Sequence, residues 1–180
     1  AYVKIEDGCD GSCSYCIIPK VRGPVRSRSP QSILKEVREL AETGCREIVL
    51  TGIETDAFGK DLSFEEFHTL PDAASLVTDP STRRFAPLLS LLEAVDVIPG
   101  IQRIRLGSLD PAFLQPAFVD RYAAMKHTMP HFHLSVQSGC SVTLAAMRRR
   151  SNAEQMLRSM DYAKKRIPQL GLSADVICGF

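Results

Sequence analysis

Cys9, Cys13 and Cys16 fall within one short stretch, Cys9-Asp-Gly-Ser-Cys13-Ser-Tyr-Cys16. Three thiolates this close can wrap one metal centre at little loop-closure cost. A structural zinc ion wants four protein ligands, so zinc would need a distant partner such as a histidine. Three thiolates suit a four-iron cluster that keeps one iron free for a further ligand. Cys45, Cys140 and Cys178 are scattered and read as small core residues. The cysteines do not form a disulfide framework, which fits a reducing compartment. His131 and His133, two apart on one strand, share a face; they read as partly buried neutral histidines before they read as a metal pair.

These groups need a frame. The chain has 180 residues, is 44% hydrophobic and carries a net charge of +1. That allows one buried core, and it lacks the global basic field of a stand-alone nucleic-acid binder. No apolar run approaches the ~20 residues of a membrane span, and no signal peptide is visible. Both ends look cut, so the chain reads as a piece of a longer protein. Alternation predicts a strand over Tyr2–Glu6. Ser29-Pro30 starts a helix, with a stripe at Ile33, Leu34, Val37, Leu40 and Ala41, and Gly44 ends it. Strands follow at 47–51, 101–106, 132–136 and 172–177, and helices at 88–95, within 112–126 and within 141–166. Residues 55–84 show no sustained period and read as a long connection, with a short helix near 64–69.

Strand and helix alternate five times, which argues for an α/β fold of parallel strands with right-handed crossovers. Ligands collect at the C-terminal ends of such strands. The informative residues fall there each time: the cysteines after the first strand, Gly52 and Glu54 after the second. Ser108 and Asp110 follow the third, Gln137 and Ser138 the fourth, Gly179 the fifth.

The cysteine stretch, with Tyr15-Cys16-Ile17-Ile18-Pro19 and Arg22-Gly-Pro-Val-Arg26-Ser-Arg28, resembles the radical S-adenosylmethionine (SAM) enzymes. Within them it resembles the methylthiotransferases of tRNA and ribosomal protein. The likeness continues through Leu50–Thr55, Arg103–Pro111, Ser135–Cys140, Met147–Arg150 and Asp175–Phe180. The run Arg105-Leu-Gly-Ser-Leu-Asp-Pro111 is most similar to the branch acting on N6-threonylcarbamoyladenosine 37 of tRNA.

The resemblance implies a radical SAM core, a partial (β/α)6 barrel with five of its strands present over residues 1–180. The N-terminal methylthiotransferase domain and the C-terminal RNA-binding domain would lie outside it. It implies that Cys9, Cys13 and Cys16 ligate a [4Fe–4S] cluster whose open iron takes SAM. Tyr15 would sit beside the adenine. Gly52 and Glu54 would meet the SAM amino group, although Thr51 stands where the superfamily has its first glycine. Gln137 and Ser138 would reach the ribose, and Arg149 the carboxylate, which a guanidinium fork fits well. Arg22, Arg26 and Arg28 would meet tRNA phosphates or pair with local acids. The implied partners are tRNA and an electron donor such as flavodoxin or ferredoxin. A second [4Fe–4S] cluster would belong to the N-terminal domain. A cytoplasmic location and no membrane are expected. The alternatives are another radical SAM enzyme, such as a ribosomal-protein methylthiotransferase, and a zinc-stabilised nucleic-acid-binding module.

Overall fold

A computed structural model describes residues 1–180. The predicted first strand breaks after Lys4. Tyr2–Lys4 forms β1 and Glu6–Asp7 forms β2. After the cysteine loop come a short helix α1 (Ile18–Arg22) and β3 (Arg26–Ser27), which pairs antiparallel with β2. Helix α2 (Pro30–Glu42) begins where the sequence asks for it. The Ser29 hydroxyl accepts the Ser32 amide at 3.2 Å, capping one of the amides that a helix start leaves unpaired. Its stripe of Ile33, Leu34, Val37 and Ala41 is buried.

Strand β4 (Glu47–Thr51) lies between β1 and β5 (Arg103–Leu106), parallel to both. Between them the chain builds α3 (Phe64–Phe67), α4 (Ala73–Thr78) and α5 (Ala86–Asp96). Helix α5 is buried on almost every side, with Leu88, Leu89, Leu91, Leu92 and Val95 all inside. The second half continues with β6 (Ser108–Leu109), α6 (Pro116–Ala124), β7 (His131–Gln137), α7 (Ser141–Ala146), α8 (Ala153–Arg166) and β8 (Gly171–Val176). Here β6, β7 and β8 form a second parallel sheet. A parallel bridge pairs Ile104 of β5 with Thr128, in the segment that leads into β7. The architecture is thus α/β with parallel strands and does not close into a barrel.

Residues 55–84 differ from the expected connection. Phe58, Phe67, Leu70, Ala73 and Leu76 are buried and belong to the main hydrophobic core. The segment is a compact helical lobe with a core face. Its elements are too short to show a helical period in sequence. Cys140 and Cys178, expected in the core, are exposed, and Cys45 is half-buried. No helix is long and apolar enough to cross a membrane.

Candidate functional site

The cysteine loop is held at both ends and in the middle. Gly8 opens it at φ +84, where an added Cβ would lie 2.0 Å from the Pro24 carbonyl oxygen. Only glycine fits that turn. The Cys9 amide donates to the Gly23 carbonyl at 3.1 Å, and the Asp10 carboxylate accepts the Val25 amide at 3.1 Å. Across the strand ends, the Ser14 amide donates to Met147 O at 3.1 Å and its hydroxyl to Ala146 O at 3.0 Å. The loop is therefore tied to the end of α7, far along the chain.

All three cysteines are half-buried and line one cleft of about 260 Å³. The Gly11 amide donates to Cys9 Sγ at 3.2 Å, and a Cβ on Gly11 would press to 3.1 Å from that sulfur. The Cys9 thiol donates to Glu54 Oε2 at 3.4 Å. Burial, with the Glu54 charge adding to it, pushes that thiol up to about 11. Arg149 Nη1 lies 3.8 Å from Cys13 Sγ. Its Nη2 donates to Asp110 Oδ2 at 2.7 Å and to Ser135 O at 3.0 Å. Burial opposes the Arg149 charge, but Asp110 and Cys13 outweigh it and hold the guanidinium above its usual pKa. Two lining residues, Gln137 (φ +66) and Arg148 (φ +58), hold left-handed backbone. Such strain concentrates where neighbours over-determine a site.

Of the expected residues, Cys9, Cys13, Tyr15, Cys16, Glu54, Gln137 and Arg149 come together in this cleft. Gly52 and Ser138 do not line it. The Ser138 hydroxyl accepts the Cys140 amide at 3.1 Å, closing a local turn. Gly52 makes room for Glu6: a Cβ there would lie 1.9 Å from Glu6 Oε1. That oxygen accepts the Glu54 amide at 2.8 Å, so Glu6 holds the turn that presents Glu54. Burial raises the Glu6 carboxyl to about 7 against that hydrogen bond, and its Oε2 has no partner. Arg22, Arg26 and Arg28 lie outside the cleft. Arg22 is 3.6 Å from Asp7, Arg26 donates to the Arg22 carbonyl, and Arg28 bonds Lys4 O, Glu36 and Ser32.

Sequence reasoning did not assign a site role to Asp110, Ser135, Ile53 or the buried pair Glu6 and Asp56. Asp110 sits at a strand exit and within the Arg105–Pro111 run, and those were its signals. Ser135 acts through a backbone carbonyl, which leaves no trace in residue type. His131 and His133 bond Ser173, and His133 also reaches Asp175.

The donor set fits a polynuclear centre better than zinc. Three thiols around one cleft, with no histidine in its lining, fit a cluster with one open iron.

Solved structures share this architecture. The chain superposes on the cobalamin-dependent SAM radical enzyme OxsB, with aqua-cobalamin and SAM bound, at a TM-score of 0.66. The identity is 14%, covering 98% of this chain and 23% of that one. The radical SAM methyltransferase TsrM of Kitasatospora setae, with cobalamin and a [4Fe–4S] cluster bound, gives 0.62 at 15% identity, covering 97% and 30%. At such identities the likeness shows the fold alone. Residues 3–180 match the sequence profile of the radical SAM superfamily, and the chain belongs to it. The cofactors of that superfamily are a [4Fe–4S] cluster and SAM.

Among its curated relatives are tRNA methylthiotransferases of two kinds. The tRNA-2-methylthio-N(6)-dimethylallyladenosine synthase of Desulfitobacterium hafniense (strain Y51) is 37% identical over the whole chain, which covers 36% of the relative. The threonylcarbamoyladenosine tRNA methylthiotransferase MtaB of Bacillus subtilis (strain 168) is 32% identical over the whole chain, again 36% of the relative. The chain thus spans about a third of the length of the curated relatives it matches.

Proposed function

We propose that these residues are the radical-generating core of a tRNA methylthiotransferase, with Cys9, Cys13 and Cys16 as cluster ligands. The observation that carries this is the meeting in one cleft of three thiols with Glu54 at Cys9 and Arg149 at Cys13. When bound, the cluster supplies the electron that cleaves SAM to methionine and a 5′-deoxyadenosyl radical. The chain's own residues do the positioning. Glu54 accepts the hydrogen bonds of an ammonium, Arg149 offers a fork to a carboxylate, and Gln137 faces the sugar. Tyr15 and Ile53 give apolar cover beside the adenine and exclude water. The reaction proposed for the whole protein is methylthiolation at C2 of a modified adenosine in tRNA. The second cluster, the electron donor and the RNA-binding domain belong to that whole, and these 180 residues alone do not complete the reaction.

The favoured adenosine carries an N6-threonylcarbamoyl group, on the strength of the Arg105–Pro111 run. The higher identity to the dimethylallyladenosine relatives supports a second reading. Mass spectrometry of tRNA nucleosides from a host expressing the whole protein separates them by which methylthio derivative accumulates.

The core is tested by anaerobic reconstitution with iron and sulfide. About four of each per chain are expected, with loss in Cys13→Ala, together with reductant-dependent SAM cleavage. Stoichiometric zinc without sulfide would sink the proposal and leave a zinc-stabilised module.

A further inference from the structure

Beside the cluster cleft lies a second cleft of about 220 Å³. It is built by the lobe that the sequence left as a connection. Its cations are Lys60, Arg83 and Arg84, all exposed. None of the three makes an ion pair with an acidic side chain, whereas Arg22, Arg28, Arg103, Arg105, Arg121, Arg149 and Arg166 all do. Arg83 is pinned by its Nε to Val77 O at 2.9 Å. Arg84 stacks over Phe85 and Phe113, at 4.9 and 5.5 Å from the ring centroids. Both guanidiniums are thus held partly in place while keeping donors free. The floor is Asp56, buried, with Phe58 and Gly59.

The two clefts share a wall. Asp56 lines the second and accepts the Asp110 amide at 2.9 Å; Asp110 lines the first and holds Arg149. The first cleft carries two more arginines without an acidic partner, Arg148 and Arg150. The two adjoining clefts together hold five cations without an acidic partner, while others, such as Arg38, Arg46 and Arg158, lie elsewhere on the chain. Three cations converging on one cleft beside the ligand-bearing strand ends suit a polyanion. Fixed guanidiniums beside a lysine suit the oxygens of phosphodiesters.

The geometry points to a phosphate-binding cleft of Lys60, Arg83 and Arg84 that grips the backbone of the substrate RNA next to the nucleotide entering the cluster cleft. This rests on the tRNA reading above and adds where the strand is held. Placing the grip one shared wall from the reacting centre fixes how far the strand can slide. Phosphate contacts of this kind set register and carry no base information.

The test uses the reconstituted chain, an anticodon stem-loop RNA and the double variant Lys60→Gln/Arg84→Gln, with Lys165→Gln as an exposed control outside both clefts. Binding is followed by fluorescence anisotropy against salt, and SAM cleavage and thermal midpoint are measured alongside. The double variant is expected to bind RNA about three- to tenfold more weakly. Its slope of log affinity against log salt should fall by about 1.4, or ~0.7 for each lost single-strand phosphate contact. Lys165→Gln should bind as wild type, and both variants should keep iron content, midpoint and SAM cleavage. Equal affinity and slope in wild type and double variant overturn the cleft, as does wild-type RNA binding that is undetectable at low salt. A free-phosphate site is the result if inorganic pyrophosphate binds the wild type and not the double variant while RNA binding is unchanged, and this too overturns the RNA assignment. Absence of SAM cleavage in the wild type would instead strike the core reading, independently of any RNA result.

Discussion

Glu6 is a carboxylic acid with only 1% of its surface exposed, one oxygen on the Glu54 amide and the other unpartnered. Its folded pKa of about 7 stands above the ordinary 4.5, because burial outweighs the hydrogen bond. The folded state then binds its proton more tightly than the unfolded chain does. This group's contribution to stability is fully present below about pH 4.5 and declines as pH rises through 7. Asp56, raised to about 7 by burial and the Glu54 charge, acts in the same direction. Glu6→Gln keeps a carbonyl for the Glu54 amide and removes the buried charge. It should be more stable than wild type by about 1–3 kcal/mol at pH 8 and indistinguishable at pH 4. Urea titrations at the two pH values check this, and equal differences at both would refute it. Gly52→Ala should destabilise by about 1–3 kcal/mol through the Cβ clash with Glu6. Pairing it with Glu6→Ala should recover much of that loss, a coupling that a double-mutant cycle reads directly. The cysteines were legible because their chemistry is local, three thiols in one loop. Glu6 was not. It follows the inward-facing Val3 and Ile5, where alternation turns it outward, and what makes it special is a glycine and an amide more than forty residues away.

At the scale of elements, the helix start at Ser29 and the alternation of strands and helices were readable from capping chemistry and period. The lobe at 55–84 was not, because α3 and α4 span four and six residues and show no repeat. Their order comes from packing. Leu76 is buried in the main core, and the Thr82 hydroxyl donates to its carbonyl at 2.7 Å. Leu76→Ala should therefore cost about 2–5 kcal/mol, as a core truncation does and a loop substitution does not. A urea midpoint that stays put would return the segment to the status of a surface connection.

For the molecule as a whole, two parallel sheets share one hydrophobic core, and the outer strand β8 is mostly exposed. Stability should be uneven along this order. By hydrogen-exchange mass spectrometry, β8 should exchange about tenfold or more faster than β4, which lies between two partners. Equal protection of the two strands would contradict the exposed edge. Net charge, the global quantity read first, concealed the feature that matters at this scale. It says nothing of where cations gather, and only the fold brings Lys60, Arg83 and Arg84 to one cleft.

Ser14 ties the cysteine loop to the carbonyls of Ala146 and Met147, 132 residues downstream at the nearer one. A contact of such sequence separation forms only after the intervening chain has folded. The loop is made before α7, yet it is thus among the last parts to take its final shape. Metal assembly on these cysteines belongs to the end of folding, on a finished frame, and a chain arrested before α7 would hold its thiols on an unbraced loop.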